Sequence, residues 1–479
     1  MSFVLSKAVD PENVFLTRKS DVTRRWDPHY HQPCFVQLFK KLNTLNAKPL
    51  RSVAKAIISG ITPLSGGTAY TEASNGVAFI RSGDFNEDGT INKADLIYLK
   101  PEVHSIIMKR SQLAPHDVLF AIVGATIGKV GIFLGGYEAN INQAICAVRL
   151  NETVRPHFVQ AFFLTQLGKQ QIDRVKRPVA RANINLEEIA DLRLPIVSEA
   201  IQKKVVEKLN DGFRQKRARE NQAAELMAKI DEILLEELGI ALPIPPPNTI
   251  ENRIFMRPFS EVTGGRFDAA SHWKRLYLSS DRYASVKLTD LVFINPLTRF
   301  KHVKNDDLIS FVPMDSISEI YGEIDVLHTR PVRESGAYTT FQEGDIIWAK
   351  ITPCMENGKS AIAENLIDGY GFGSTEFHVF RPRNSEIRVQ YLHALLRLAV
   401  VRDHARLFFG GTAGHQRVDD GFFRRLEIPL PPPIIQDKII ETIAKHKEEA
   451  RRLFREAEEG VKKAKEAIEA IILGEGAKS

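Results

Sequence analysis

Cysteine is scarce in this chain. Cys34, Cys146 and Cys354 are the three in 479 residues, too few for the bonded framework that staples small secreted domains. Neither they nor His29, His31, His116, His393, His404 and His415 fall at zinc-ligand spacing, so no metal site is read. Long apolar runs are also lacking. The stretch 118–123 is typical, and a run that short cannot cross a bilayer. The first residues carry Lys7, Asp10 and Glu12 and no apolar core of signal-peptide type, which reads as a cytoplasmic protein with reduced thiols and no membrane partner. A large excess of one charge is missing as well. Sixty-five basic against 59 acidic residues leave a formal +6, which permits nucleic-acid binding without demonstrating it.

Complete catalytic motifs are absent too. Gly124-Ala-Thr-Ile-Gly128-Lys129-Val130 is one residue short of a phosphate-binding loop and has Val130 where a magnesium-binding hydroxyl is needed. Its counterpart, Gly358-Lys359-Ser360, has Pro353 in place of the first glycine. Both read as hairpin turns that carry a lysine. Asp27-Pro28-His29-Tyr30 is close to the Asp-Pro-Pro-Tyr element of amino-group DNA methyltransferases, in which the aromatic ring stacks on a flipped base. No glycine-rich cofactor loop accompanies it, and its repeat partner Asp268-Ala269-Ala270-Ser271 abandons the pattern. Asp27 therefore reads as structural.

What is present is a duplication. Ser20-Asp21-Val22-Thr23 returns as Ser260-Glu261-Val262-Thr263, and Arg25-Trp26-Asp27 as Arg266-Phe267-Asp268. Phe79-Ile80 returns as Phe311-Val312, and Asp117-Val118-Leu119-Phe120-Ala121 as Asp345-Ile346-Ile347-Trp348-Ala349. From Ile184-Asn185 against Val418-Asp419 the shift settles, and it holds through Leu192/Leu426, Pro195/Pro429 and Gln202/Gln436. A unit this long is not a solenoid repeat. It predicts two similar domains related by an approximate twofold, able to offer two related surfaces to one elongated partner.

Each copy runs from a mixed α/β region into a long helix. Prolines at the joint (192–195 and 426–433) force the helix to start afresh. Ala450, Phe454, Ala457, Val461, Ala464, Ile468 and Ile471 repeat every three or four residues, a coiled-coil seam. Ala223, Met227, Ile230 and Leu234 keep the rhythm in the first helix, with Lys216 and Glu220 interrupting it. The expected fold is α+β: two similar α/β domains separated by two long antiparallel coiled-coil helices, each about 60 Å at about 1.5 Å per residue. The boundaries read as 1–195, a first spacer helix 196–240, a proline-rich linker 241–251, a second domain 252–432 and a second spacer helix 433–475. Within the domains, strands at 118–123 and 130–134, and again at 346–351 and 360–363, read as hairpins. Helices are expected at 156–175 and 389–407.

Basic residues recur just before each joint. Arg174, Lys176, Arg177 and Arg181 surround Pro178. The corresponding stretch holds Arg402, Arg406, Thr412, His415, Gln416 and Arg417 among Gly410, Gly411 and Gly414. Guanidinium, amide and hydroxyl groups on such a loop suit a phosphate track and base edges. Lys129, Lys350 and Lys359 at the hairpins suit backbone phosphates. These eleven side chains (Arg402 and Arg406 apart) are the candidate DNA contacts.

This order of elements resembles the specificity subunit of type I DNA restriction-modification systems. The resemblance is carried by Gly411-Thr412, Arg417-Val418, Leu426-Glu427-Ile428-Pro429-Leu430-Pro431-Pro432 and Ile435-Gln436-Asp437-Lys438-Ile439. It extends to Asn183-Ile184, Leu194-Pro195 and Ile201-Gln202 in the first copy, and to the hairpin sequences Gly344-Asp345-Ile346-Ile347 and His116-Asp117-Val118-Leu119. The first copy departs from it, with Arg177-Pro178 where the second has Gly-Thr. The resemblance implies that each α/β region reads one half of a split, asymmetric DNA target. The helices would set the half-site spacing and dock two methyltransferase subunits, and restriction/translocase subunits would complete the complex. It implies no catalytic residue and no cofactor on this chain, with S-adenosylmethionine, ATP and Mg on the partners. The competing readings are a DNA methyltransferase or nuclease with its own degenerate site, and a coiled-coil interaction scaffold.

Overall fold

The computed structural model describes residues 14–17, 22, 25–63, 67–177, 182–242, 247, 249–254, 256, 278–411 and 416–474. Contacts divide the chain into two units: residues up to Arg219 with those from Arg455 onward, and Glu220–Phe454.

The first unit is built on an antiparallel sheet ordered Ala54–Ser59, Ile145–Leu150, Asp117–Ala121, Val130–Phe133. The side chains of Asp117–Ala121 and Val130–Phe133 are buried on both faces. Alternation decides what covers each face. Val118, Phe120, Val130, Ile132 and Val148 meet Phe158, Phe162 and Phe163 of the helix Pro156–Leu164. Leu119, Ala121, Phe133 and Ala147 meet Ala78, Ile80, Ala139 and Ile141 of a second sheet. That second sheet runs Tyr70–Thr71, Ile97–Leu99, Val77–Ile80, Ala139–Ile141, the last pair parallel.

The second unit repeats this plan. Val292–Ile294, Phe377–Pro382, Ile346–Ala349 and Ser360–Ile362 form its central sheet. Trp348 and Phe380 face Tyr391, Leu392 and Leu395 of the helix Val389–Arg397, while Ile347 and Val379 face Val312 and Phe341. Here too the second sheet holds one parallel pair, Leu308–Val312 with Tyr370–Gly373. The matched pairs Phe79-Ile80 and Phe311-Val312 thus occupy equivalent strands.

Entry and exit of each domain are tied together. The joint Arg193–Pro195 pairs antiparallel with Ala47–Pro49, and Glu427–Pro429 with Ser285–Lys287. Just past the joint, Gln202 accepts from the Arg155 amide (2.8 Å) and donates to the Val197 carbonyl (3.2 Å). Gln436 likewise accepts from the Arg388 amide (2.7 Å) and donates to the Pro431 carbonyl (2.9 Å). One glutamine thereby satisfies the start of the domain's helix and fixes the first turn of the long one.

The long helices are Glu199–Glu237 and Pro433–Leu473. Within the first unit Lys216 pairs with Glu458, Arg219 lies 3.7 Å from Glu456, and Gly212 faces Ala464. Within the second, Glu237 lies 3.2 Å from Lys438 and Ala223 packs with Ala450. In every pair the number on one helix falls as the other rises, so the pairing is antiparallel. Ala223, Leu234, Ala450, Ala457, Val461, Ala464 and Ile468 are buried; Met227, Ile230 and Phe454 are partly so. At the end of the second stripe Ile471 is partly buried and Ile472 fully, and both pack into the core of the first unit. Leu234 likewise joins the core of the second unit. The expected helix 156–175 breaks at Thr165, whose side chain accepts from the Gly168 amide and opens a new helix, Gln166–Val175. The second is interrupted at Leu398, between Val389–Arg397 and Ala399–Ala405.

One charged pair recurs inside both domains. Asp117 and Asp345 are 0% and 1% exposed. Each carboxylate takes a two-point grip from the opposite strand: Arg149 at 2.9 and 2.8 Å, Arg381 at 2.8 and 2.7 Å. Each also accepts an amide from its own turn, of Ala114 and of Gln342, both at 2.8 Å. The residue before each aspartate has positive φ, His116 at 69° and Gly344 at 81°; glycine adopts this freely, whereas at His116 the turn leans on the aspartate to hold an unfavoured backbone. Removing the arginine strands a buried carboxylate, a loss of about 3–5 kcal/mol. Arg149→Met should destabilise the first unit by that amount in urea, and Arg381→Met the second; equal stability of either variant with wild type refutes the clamp.

Candidate nucleic-acid interface

The central strand of each unit leaves its sheet in a turn, and the basic stretch before the joint returns to that turn. In the first unit the Gly124 amide donates to the Ala182 carbonyl (3.0 Å) and the Ile184 amide to the Ile122 carbonyl (2.9 Å). In the second unit the Thr352 amide donates to Gln416 (3.0 Å) and the Val418 amide to Lys350 (2.9 Å). The same two backbone bonds therefore fasten a basic segment beside a hairpin turn twice over, joining stretches some sixty residues apart in each copy.

Partners, rather than sequence, determine which cations remain available. Lys129 donates to the Phe85 carbonyl and Lys359 to the Met314 carbonyl, both at 3.1 Å. Each of these two ammonium groups thus also ties its turn to the neighbouring loop. Arg174 is held by packing. Its guanidinium lies 3.9 Å from the Tyr30 ring centre and 4.0 Å from that of Phe39, and it donates to the Tyr30 carbonyl at 3.0 Å. Burial lowers its pKa, so it is a packing cation.

Arg177 donates to Asn183 (3.1 Å) and Glu188 (3.0 Å). Arg417 grips Glu376 at 2.8 and 2.6 Å. Both remain on the surface with their planes oriented. Lys176, Lys350 and Gln416 are half-buried, and the two ammonium groups pair with no acid among the described residues. Arg181, Thr412 and His415 lie outside the described residues. Arg402 and Arg406, on the helical stretch before the second loop, hold the Arg397 carbonyl and Glu356, each at 3.0 Å.

The methyltransferase-like tetrad is structural. Asp27 caps a short turn by accepting from the Tyr30 amide (3.2 Å) and pairs with Arg25 (2.7 Å). Burial raises its carboxyl, but these contacts outweigh that and hold it below the usual range. The Tyr30 ring lies under Arg174 and is not free to stack on a base. Among the described residues no group of three or more His, Cys, Asp or Glu could hold a metal, and no helix is long and apolar enough to cross a membrane.

Sequence reading missed His378. Its Nε2–H donates to the Val418 carbonyl (2.9 Å), and its Nδ1 accepts from Asn295 (3.1 Å), so a neutral imidazole fastens the base of the second loop. The only sequence signal was a histidine inside an apolar strand.

Two copies of one frame, each bringing a turn and a basic segment to one place, define a duplicated recognition protein. A family model for the type I restriction modification DNA specificity domain matches residues 46–226 and 282–459, well over half of the chain. The chain belongs to that family. It is similar to the specificity subunit of the Escherichia coli type I restriction enzyme EcoEI, 37% identical over 164 residues, which make up 33% of this chain and 27% of that protein. The corresponding EcoAI subunit, also from Escherichia coli, is 36% identical over 163 residues, again 33% and 27%. The chain thus spans about a quarter of the length of these relatives. A solved structure described as showing complex assembly and conformational transition of the type I R-M system aligns at 14% identity and TM-score 0.49, covering 89% of this chain and 96% of that one. The S subunit of a type I restriction-modification system from M. genitalium aligns at 12% identity and TM-score 0.36, covering 89% of this chain and 95% of that one.

Burial keeps three histidines of the second unit neutral. It lowers His378, pushes His393 well below its ordinary value and brings His404 down to about 4. The unfolded chain takes up these protons near pH 6.5. As pH falls from about 6.5 toward 4 the unfolded state binds more protons than the folded one, and stability is lost. The urea midpoint of the second unit should therefore fall between pH 7 and 4.5. His404→Phe, which keeps a ring beside Phe408 and Phe422, should flatten that slope. Identical slopes for variant and wild type would remove His404 from the account.

Proposed function

We propose that the chain is the sequence-specific DNA-binding subunit of a type I restriction-modification complex, and that each α/β region is a target-recognition domain for one half of a bipartite, asymmetric site. The observation that carries this reading is the pair of backbone bonds fastening a basic segment to a hairpin turn in both copies. The frame is constant and the segments differ, as expected if geometry is shared and sequence preference is not. The direct contacts would come from Lys176, Arg181, Lys350, Thr412, His415 and Gln416, with Arg177 and Arg417 presented by their acidic neighbours. Lys129, Arg174 and Lys359 would hold the frame. Arginine and glutamine supply paired hydrogen bonds to guanine and adenine, and lysine supplies phosphate contacts.

On this reading the chain has no active site of its own, and the long helices dock two methyltransferase subunits with restriction/translocase subunits joining them. S-adenosylmethionine, ATP and Mg belong to those partners, and the complex works in the cytoplasm. The engagement of Tyr30 by Arg174 supports this over a methyltransferase of the chain's own.

Exchanging residues 282–429 for those of a relative with a different target should change one half-site and leave the other intact, read by mapping protected or methylated sites; a change in both halves refutes the assignment. Lys350→Ala should weaken binding to all sequences alike and lower the slope of log affinity against log salt by about 1. An unchanged slope would take Lys350 off the DNA.

A further inference from the structure

Each basic segment meets its turn as a short extended stretch, and the middle residue of that stretch faces outward. In the first unit the backbone bonds at Ala182 and Ile184 flank Asn183, which is bridged to Val123. In the second unit the bonds at Gln416 and Val418 flank Arg417, which is bridged to Ile351. Side chains alternate along an extended backbone. Ala182 and Ile184 are buried and Asn183 is exposed. Gln416 is half-buried, Val418 is buried and Arg417 is exposed. The shared frame therefore presents Asn183 in one copy where it presents Arg417 in the other.

The group that orients this residue has changed with it. The Ile122 amide donates to the Ala144 carbonyl at 2.8 Å, and the Lys350 amide to the Glu376 carbonyl at 2.9 Å, so Ala144 and Glu376 are equivalent as well. Glu376 takes the Nε and Nη2 of Arg417 at 2.8 and 2.6 Å and fixes the plane of the guanidinium. In the first copy alanine stands in the place of that acid, and the orienting group comes from the basic segment instead. Arg177 donates to the Asn183 carbonyl (3.2 Å) and to its Oδ1 (3.1 Å), and Glu188 holds Arg177 in turn at 3.0 Å. Oδ1 keeps a second lone pair. The Asn183 amino group has no partner among the described residues.

We propose that Asn183 and Arg417 are matched base-reading residues, and that the first half-site carries an adenine–thymine pair at the place where the second carries a guanine–cytosine pair. This rests on the DNA reading above and deepens it. A carboxamide that accepts through Oδ1 and donates through Nδ2 matches the amino group and N7 of adenine, and a planar guanidinium matches O6 and N7 of guanine. Phosphate tracking alone would not select an asparagine at the outward position of a basic segment, where any cation would hold a phosphate better. An oriented carboxamide is of use where a base edge is read.

The test selects sequences from a library of randomised DNA duplexes with the full-length chain, purified with the subunits that accompany it. Wild type should enrich a bipartite sequence. Asn183→Ala should relax one adenine–thymine pair in one half-site, cutting its preference by about tenfold. Arg417→Ala should do the same to one guanine–cytosine pair in the other half. Asn183→Asp keeps the shape and exchanges a donor for an acceptor, so that pair should become cytosine–guanine, since a carboxylate accepts from the cytosine amino group. Arg417→Gln should turn its guanine–cytosine pair into adenine–thymine. A domain that had merely lost its fold would bind less without exchanging one base pair for another. If the variants keep the wild-type target, relax a pair of the other kind, or loosen a whole half-site, the proposal is overturned and the DNA reading stands. A wild-type chain that enriches no sequence overturns both.

Discussion

The central sheet of each domain is covered on both faces, and this constraint organises everything else. A strand buried between a helix and a second sheet has no solvent side, so it cannot carry an unpaired charge along its length. The one carboxylate that does enter, Asp117 or Asp345, is matched by an arginine from the next strand and an amide from its own turn. The other cations of the two interfaces, among them Lys129, Lys176, Arg177 and Lys350, lie beyond the strand ends. Polar recognition chemistry is therefore confined to turns and loops, and the backbone bonds at Gly124 and Thr352 determine which loop meets which turn. Sequence can vary there because the burial that stabilises the domain lies elsewhere.

The helices depend on the same cores. Val205, Leu209 and Phe213 of the first helix sit in the core of the first domain, and Ile439 and Ile443 of the second helix in that of the second. Each domain grips the start of its own helix through Gln202 or Gln436 and through the paired strand at the joint. A helix held by a buried amide network and an apolar face cannot pivot without breaking several contacts at once. That rigidity is what a protein needs if it measures distance along a partner.

Periodic and repeated features of the fold were legible in the sequence. The duplication, the proline joints, the hairpins and the heptad stripes each leave a pattern that one chain displays by itself. The site was less legible, because a cation's role depends on what lies across space from it. Arg174, Lys129 and Lys176 look alike in a basic stretch, yet the first is buried against Tyr30 and Phe39, the second holds a carbonyl, and the third pairs with no described acid. Lys216 read as an interruption of the seam. It is nearly buried, and its charge is satisfied by Glu87 and Glu458. Burial lowers its basicity and the two carboxylate bonds more than restore it. Neither acid is near it in sequence, so periodicity had no means of signalling the match.

The two copies have diverged beneath their loops as well as on them. At one register position the frame holds Asp231 in one copy and Lys465 in the other. On equivalent central strands it places a neutral histidine, His378, under the second loop and the buried thiol of Cys146 in the first domain. A thiol whose pKa burial pushes up to about 12 is inert to pH in any ordinary range, whereas an imidazole is not. The same backbone thus supports two solutions at equivalent buried positions, an imidazole held to a loop carbonyl in one copy and an apolar-packed thiol in the other. Had the frame been an inert scaffold, its buried positions should have kept the same charges in both copies. That they have not means the two cores are electrostatically distinct, so a loop moved alone from one copy to the other would meet a different buried neighbour at its base.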